Sequence, residues 1–299
     1  MKKAYAELIA GLIPRKMARN RWRGILRYGL IRTLRLRSLL KQYLEKPSVG
    51  LAVCVIAKDE GPYLKEWIDW HTALGVEKFY FYDNGSTDDT RAILAPYIDS
   101  GVVEYIFYPG QKRQIAAYDD CIDRHRLDTR WLAFIDIDEF IVPLQDPSIP
   151  RLLGRYEEAA AVEINWLIYG SNGLIEKDER PVMERFTSHA LPDFRMNRMV
   201  KSIVNPRKVV NMIGCHEAAR LNGCAVDSMG RTVRRHFRER EPQLDIVRIN
   251  HYAVKSRREF EEKQQRGRAS GKQRPIPEAY FTTYDRNESS QREATETEE

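Results

Sequence analysis

Three carboxylates fall within four positions, Asp136-Ile-Asp138-Glu139, directly after the apolar run Trp131-Leu-Ala-Phe-Ile135. The run reads as a buried strand, apolar and bounded by polar sequence. Asp is disfavoured inside strands and costly to bury unpaired. A strand that delivers these acids at its carboxyl end therefore needs positive charge there. A divalent cation is one candidate, because Mg2+ and Mn2+ take oxygen ligands, commonly one or two carboxylates together with substrate phosphates. The alternative for the same residues is a strand end carrying solvated acids.

The elements that must position these acids begin at Leu51-Ala-Val-Cys-Val-Ile-Ala57, wholly apolar as the central strands of parallel sheets are. Lys58-Asp-Glu-Gly-Pro62 breaks the run, and a helix is expected over 63–74 with Gly75 as its stop. A second strand over 78–82 leads into Asp83-Asn-Gly-Ser-Thr-Asp-Asp89, a polar turn that caps a helix over 90–98. A third strand (102–108) and a third helix (111–126) lead to the acidic strand. This alternation with short connections predicts an α/β fold, a mostly parallel, Rossmann-like sheet flanked by helices. Such sheets bind ligands outside the carboxyl ends of their strands. Asp59, Glu60, Asp83, Asp136 and Asp138 all fall at those ends.

Beyond Pro143 the pattern loosens. A helix is expected over 149–160 and a strand over 161–168, whose Trp166 suits either the core or a stacking platform for a ligand. Tyr169-Gly-Ser-Asn-Gly173 suits a substrate loop or an ordinary β-turn. Short segments follow at 201–204, 209–213 and 246–252, with a polar stretch at Cys215-His216-Glu217 and a charged helix over 257–266.

The chain has 299 residues, 42% hydrophobic and 31% charged, enough for one large domain with its own core. Its net charge of +6 is segregated: the first fifty residues hold thirteen Lys/Arg against Glu7 and Glu45. The expected organisation is a basic helical arm (1–47), a catalytic-type domain (48–284) and an acidic, disordered tail (285–299). In the arm, Ile25, Leu26, Leu30, Ile31, Leu34, Leu39 and Leu40 fall near helical spacing with Arg between them. That pattern fits an anionic membrane surface, the domain's own flank or nucleic acid. Nothing later supplies the aromatic and basic interleaving of a nucleic-acid groove, so no nucleic-acid partner is expected. No run of about 18 apolar residues is present to span a bilayer. The apolar piece over 8–14 contains a Gly and lacks a convincing cleavage site, so a secretory leader is not expected. Four cysteines without CxxC spacing favour a reducing compartment. A cytoplasmic protein, peripheral at the inner membrane face, is the resulting expectation.

Several motifs recur in a familiar order: Val53-Cys-Val-Ile-Ala-Lys-Asp59-Glu60, Glu66-Trp67-Ile68, His71, Leu74-Gly75-Val76, Tyr82-Asp83-Asn84-Gly85-Ser86-Thr87-Asp88 and Asp136-Ile-Asp138-Glu139-Phe140. Together they resemble the nucleotide-sugar-dependent glycosyltransferases of the GT-A fold, and within these family 92 and the neighbouring family 2-like enzymes. Lys201-Ser-Ile-Val204-x-Pro206 and Asn250-His251-Tyr252-x-x-Lys255-Ser256 fit the family 92 pattern as well.

The resemblance implies metal-dependent transfer of a sugar, with inversion, from a nucleotide sugar (UDP-linked) to a saccharide or glycolipid acceptor. It assigns Asp83 to the nucleotide base, and Asp136 and Asp138 to the ribose and the metal, with Asp138 the foremost metal ligand. His251 would complete the metal site, and an imidazole ligand favours Mn2+ over Mg2+. The metal would act as a Lewis acid on the departing diphosphate. Asp59, Glu60, Lys201 and Lys255 are counted with the donor site. Lys201, Lys255 and Arg266 are either phosphate contacts or solvated charges. Inversion needs a base for the acceptor hydroxyl, and the candidates are Glu217, Glu139 and Asp193. Glu139 could instead orient the metal ligands.

Competing readings are weaker on the residues. Haloacid dehalogenase-type phosphatases place Thr or Val at the fifth motif position, where this chain has Phe140. A sugar nucleotidyltransferase needs a glycine- and Arg/Lys-rich loop after the first strand, and Lys58-Asp-Glu-Gly-Pro62 is acidic instead. A catalytically inactive, membrane-associated scaffold that keeps the sugar-nucleotide fold is the non-enzymatic alternative.

Overall fold

The computed structural model describes residues 24–42, 45–234, 236–266 and 276–290. The expectations for residues 1–23 and for the tail beyond 290 lie outside the described residues.

Strand β1 (Val49–Ala57) is buried from Leu51 onward, and its alternating side chains feed two cores. Leu51, Val53 and Val55 join Leu64, Trp67 and Ile68 of helix α2 (Gly61–Ala73) on one face. Ala52, Cys54 and Ile56 meet Ala117, Tyr118 and Cys121 of helix α4 (Gln114–His125) on the other. A strand covered on both faces has no place for polar residues, which explains the unbroken apolar run. Between α2 and β2 (Lys78–Asp83) the chain turns at Gly75, whose φ of +97° suits glycine alone, and Val76 N–H bonds back to the His71 carbonyl. Helix α3 (Thr90–Asp99), β3 (Val103–Phe107), α4 and β4 (Thr129–Phe134) complete the expected alternation.

The main sheet runs β3-β2-β1-β4-β8-β6-β12-β5, with β11 (Ala225–Asp227) pairing β6 to the side. The first four strands are mutually parallel. Then β8 (Val200–Val204) runs antiparallel between β4 and β6 (Ala161–Ile168), and β12 (Val247–His251) is parallel to β6. The fold is thus the expected α/β type.

The acidic strand ends within one residue of its apolar run, as expected, and is followed by a second strand that was not expected. β4 ends at Phe134, and a separate strand β5 (Glu139–Pro143) starts three residues after Asp136 and pairs antiparallel with β12 at the far edge. Four steps across a flat sheet would separate β4 from β5 by about 19 Å, whereas the five residue steps between Phe134 and Glu139 reach at most about 18 Å. The sheet therefore curls, and Asp136–Asp138 bridge its two halves. The helix expected over 149–160 is shorter, α5 (Ile149–Leu153), capped by Ser148 and passing at Gly154 into one 3-10 turn.

One boundary also shifts. Residues 285–290 belong to the domain: Asp285 and Asn287 accept the amides of Ser171 and Asn172, and Ser289–Ser290 pair with Ser188–His189. Gly170 lies against the Arg286 carbonyl so closely that a Cβ there would sit 2.3 Å from it. Tyr169-Gly-Ser-Asn-Gly173 is accordingly a structural turn. At the other end, helix α1 (Leu30–Gln42) and the helical residues 24–28 lie on the domain. Tyr28, Leu36 and Leu40 pack on Val210, Ala219 and Leu221, Tyr28 donates to Asp119, and Arg32 pairs with Asp123 at 2.6 Å. Leu26, Leu30, Ile31 and Leu34 stay exposed.

Candidate active site

The link between β4 and β5 lines a cavity of about 240 Å³ at the carboxyl ends of the parallel strands. Its walls come from β1 and the loop after it (Ala57, Lys58, Glu60), Gln114 of α4, Asp136 and Asp138 of the link, Lys201 of β8, Trp166 of β6, the Cys215–His216 stretch and His251 of β12. Helix α7 (Arg257–Arg266) adds Lys263 and Arg266, and α8 (Glu278–Tyr284) adds Tyr280. In α7 the buried Glu259 and Phe260 fix the helix, and spacings of four and three then carry Lys263 and Arg266 along one side to the rim.

Each acid of the link has its own cation. Asp136 accepts from the Lys201 ammonium at 2.7 Å and from Gln114 at 3.1 Å. Asp138 accepts from Lys263 at 2.6 Å and faces His251 Nε2 at 3.7 Å. Burial alone would raise the Asp138 carboxyl, but Lys263, then His251, hold it well below the usual carboxylate range. Glu139 is fully buried, accepts the Asp136 amide at 3.0 Å and stands 3.3 Å from Lys201. Burial pushes its carboxyl well up, with Lys201 opposing. Lys201 itself, 2% exposed, would be lowered by burial, but Asp136 and Glu139 keep it cationic. It is no solvated charge.

Four buried polar atoms around this cavity have no hydrogen-bond partner among the described residues: Glu60 Oε2, Glu139 Oε1, Trp166 Nε1 and His251 Nδ1. Buried polar atoms are nearly always paired, so such a cluster asks for a ligand or ion. One atom each from Asp138, Glu139 and His251 lie within 4.8 Å of one another, a donor set of two carboxylates and an imidazole that suits a divalent cation. Burial lowers the His251 pKa, which keeps the imidazole neutral and able to bind metal. Asp136, expected in this metal shell, lies against Lys201 and Gln114, whereas Glu139 stands with Asp138 and His251.

The other expected residues are dispersed. Asp59, at a φ of +50°, accepts the amides of Thr87 and Asp88 and braces the loops after β1 and β2. Glu60 is bound by Arg266 and lines the cavity. Asp83 is buried, and its carboxylate already receives Ser86 N–H at 2.8 Å and the Tyr105 hydroxyl. It does not line this cavity. Lys255 is 5% exposed and lines a neighbouring cavity instead. Among the three base candidates, Asp193 is exposed away from both cavities, Glu139 is enclosed beside Lys201, and Glu217 is buried outside the cavity wall.

His216, adjacent to Glu217, was not singled out as a candidate by its sequence. Its Nδ1–H donates to the Val200 carbonyl at 2.7 Å, leaving Nε2 as an acceptor, and the ring lines the cavity beside Trp166. Burial, then Lys201, lower its pKa to about 4. Trp166 itself, 4.2 Å from the His251 ring, belongs to the site rather than to the core alone.

Residues 49–284 match the sequence profile of glycosyltransferase family 92. The chain belongs to that family. Among curated family 92 relatives, a protein of Ricinus communis is 27% identical over 225 residues, covering 73% of this chain and 38% of its own length. A galactan β-1,4-galactosyltransferase of Arabidopsis thaliana is 28% identical over 175 residues, covering 54% of this chain and 34% of its own length. The chain thus spans under two-fifths of these family 92 relatives. A crystal structure of Staphylococcus aureus TarS with UDP aligns over 52% of this chain and 47% of its own at 14% identity, with a TM-score of 0.37. That likeness is too slight to build on. The family 92 assignment rests on the sequence match over nearly the whole described domain.

Proposed function

We propose that this family 92 domain transfers a sugar, with inversion, from a UDP-linked donor to a hydroxyl of a saccharide or glycolipid acceptor. The observation that supports it best is the set of four partnerless polar atoms around one cavity at the strand ends. A Mn2+ or Mg2+ ion would be held by Asp138, Glu139 and His251, where it would supply charge neutralisation for the departing diphosphate. Lys263 and Arg266 present positive charge to the same group at the cavity wall. Lys201 keeps the link in place through Asp136 and Glu139. His216 Nε2 accepts the proton of the acceptor hydroxyl as that oxygen attacks the anomeric carbon. The bond from that carbon to the diphosphate breaks, and its electron pair leaves on the nucleotide.

The test is release of UDP from a panel of UDP-sugars, starting with UDP-galactose, together with Mn2+ binding read by electron paramagnetic resonance. Outer-sphere partners of metal ligands already contribute about 10- to 100-fold, so Asp138→Ala should lower turnover by at least about 100-fold and weaken Mn2+ binding. Full activity in a folded Asp138→Ala protein would refute the assignment.

We further propose that the arm meets an anionic membrane. Leu30, Ile31 and Leu34, 54%, 68% and 55% exposed, stand beside the exposed Arg35 and Arg37 on the side of α1 that faces away from the domain. The 299-residue chain should sediment with phosphatidylserine vesicles and lose that binding on Ile31→Ser with Leu34→Ser. Equal binding to neutral vesicles would count against it.

A further inference from the structure

A second cavity, of about 370 Å³, adjoins the first and shares Lys263 and Arg266 with it as a common wall. It lies between the start of α2, the Asp88–Asp89 turn before α3 and the segment from Ala253 into α7. Lys255 lines it. This residue is 5% exposed and adopts a φ of +57°, a conformation that disfavours any L side chain by about 1 kcal/mol. Its ammonium lies 3.6 Å from the centroid of the Tyr63 ring and donates to no acceptor among the described residues. An aromatic face compensates a buried cation in part, but it leaves N–H donors unused.

Glu60, Asp138 and Glu259 act on this charge through space, but none forms an ion pair with it among the described residues: Glu60 is bound by Arg266 and Asp138 by Lys263. Glu259 is held by Arg185 at 2.9 and 3.1 Å, by Tyr63 at 2.9 Å and by Ser256 at 2.6 Å. Asp88 accepts the amides of Gly61 and Thr90. Asp89 and Glu262 are exposed. Lys177 adds a second ammonium over the same Tyr63 ring at 5.3 Å. A buried ammonium on a strained backbone that lines a cavity with its N–H donors unused can receive an anion.

We infer that this second cavity, through Lys255, binds an oxyanion group, a carboxylate or a phosphate monoester, carried by the acceptor. The inference rests on the glycosyl-transfer reading above: of the two substrates, the acceptor is the one that must meet the donor across the shared wall. The acceptor class is then an acidic saccharide or a phosphorylated glycan.

The experiment uses the full chain with saturating UDP and Mn2+, and titrates inorganic phosphate and glucuronate by calorimetry. Both anions should bind the wild type in the presence of UDP. Lys255→Met keeps the stem and removes the charge, and should weaken both by about tenfold or more. Lys255→Arg keeps the charge and should retain both. UDP affinity should stay within about twofold of wild type in each variant. Absence of binding to the wild type, displacement of the anions by UDP, undiminished binding to Lys255→Met, or an equal loss of UDP affinity would each overturn the inference. The last result would assign the ammonium to the donor's diphosphate. Failure of UDP itself to bind the wild type would instead refute the glycosyl-transfer reading, and the anion titrations can still be run without it.

Discussion

Acids line both halves of the curled sheet's rim, and the two halves hold them in different ways. After β1 and β2, Asp59 and Asp83 accept amides and hydroxyls from the same half, from the loop residues Ser86, Thr87 and Asp88 and from Tyr105 of β3. At the link and beyond, Asp136 and Asp138 meet ammonium groups 65 and 125 residues later in the chain. Three of the four partnerless polar atoms, on Glu139, Trp166 and His251, belong to this second half, and the fourth is on Glu60, which Arg266 reaches from α7. The first half consumes its carboxylates in building loops. The second leaves polar capacity open, so a position at a strand's carboxyl end is not by itself evidence of chemistry.

The largest effect that bears on this contrast concerns the proton acceptor. General bases contribute about 10²- to 10⁴-fold, so His216→Gln should lower turnover by about that much while Glu217→Gln, altered outside the cavity wall, changes it little. UDP-sugar turnover with a hydroxyl acceptor measures both. The reverse ranking would move the base to Glu217 and sever the link between cavity lining and chemistry. A smaller effect belongs to Asp83. If its carboxylate is a loop brace, Asp83→Ala strands the Ser86 amide and the Tyr105 hydroxyl and lowers stability by about 1–3 kcal/mol in urea melts. UDP affinity would then remain within about twofold of wild type. A tenfold loss of UDP affinity with unchanged stability would make Asp83 a nucleotide contact and erase the difference between the two halves.

The same contrast explains what the sequence disclosed. Strands β1 to β4 and their helices are local, covered on both faces and strongly patterned, and their expected limits agree with the structure within a few residues. Strand β5 was not legible, because its apolar run, Phe140-Ile-Val142, is only three residues long and follows directly on the acids. Lys201 and Lys263 look like surface charges in sequence, since only sheet order and helix docking bring them to Asp136 and Asp138. Glu139 drew attention as one of three clustered acids. Its place beside His251 depends on β5 pairing the two residues opposite each other, a register that no local pattern encodes.

The arm provides the smallest effect and the one with a defined pH sign. Burial pushes the Asp119 carboxyl up to about 6 where Tyr28 and the Met212 amide contact it, with Arg27 and Asp123 also near. With the arm detached, the carboxyl returns towards its ordinary value of 3.8. The docked form therefore binds the proton more tightly, so docking strengthens as pH falls through 6 and gains nothing further once the pH is below 3.8. Hydrogen-exchange protection over residues 24–42, corrected for intrinsic rates, should rise between pH 7 and pH 5, and the Asp119→Asn protein should show no such rise. Protection that falls over that interval would mean that the ionised carboxylate, held by Tyr28 and Arg27, is what fastens the arm. The arm would then be joined to the domain by the same kind of answered charge that organises the link between β4 and β5.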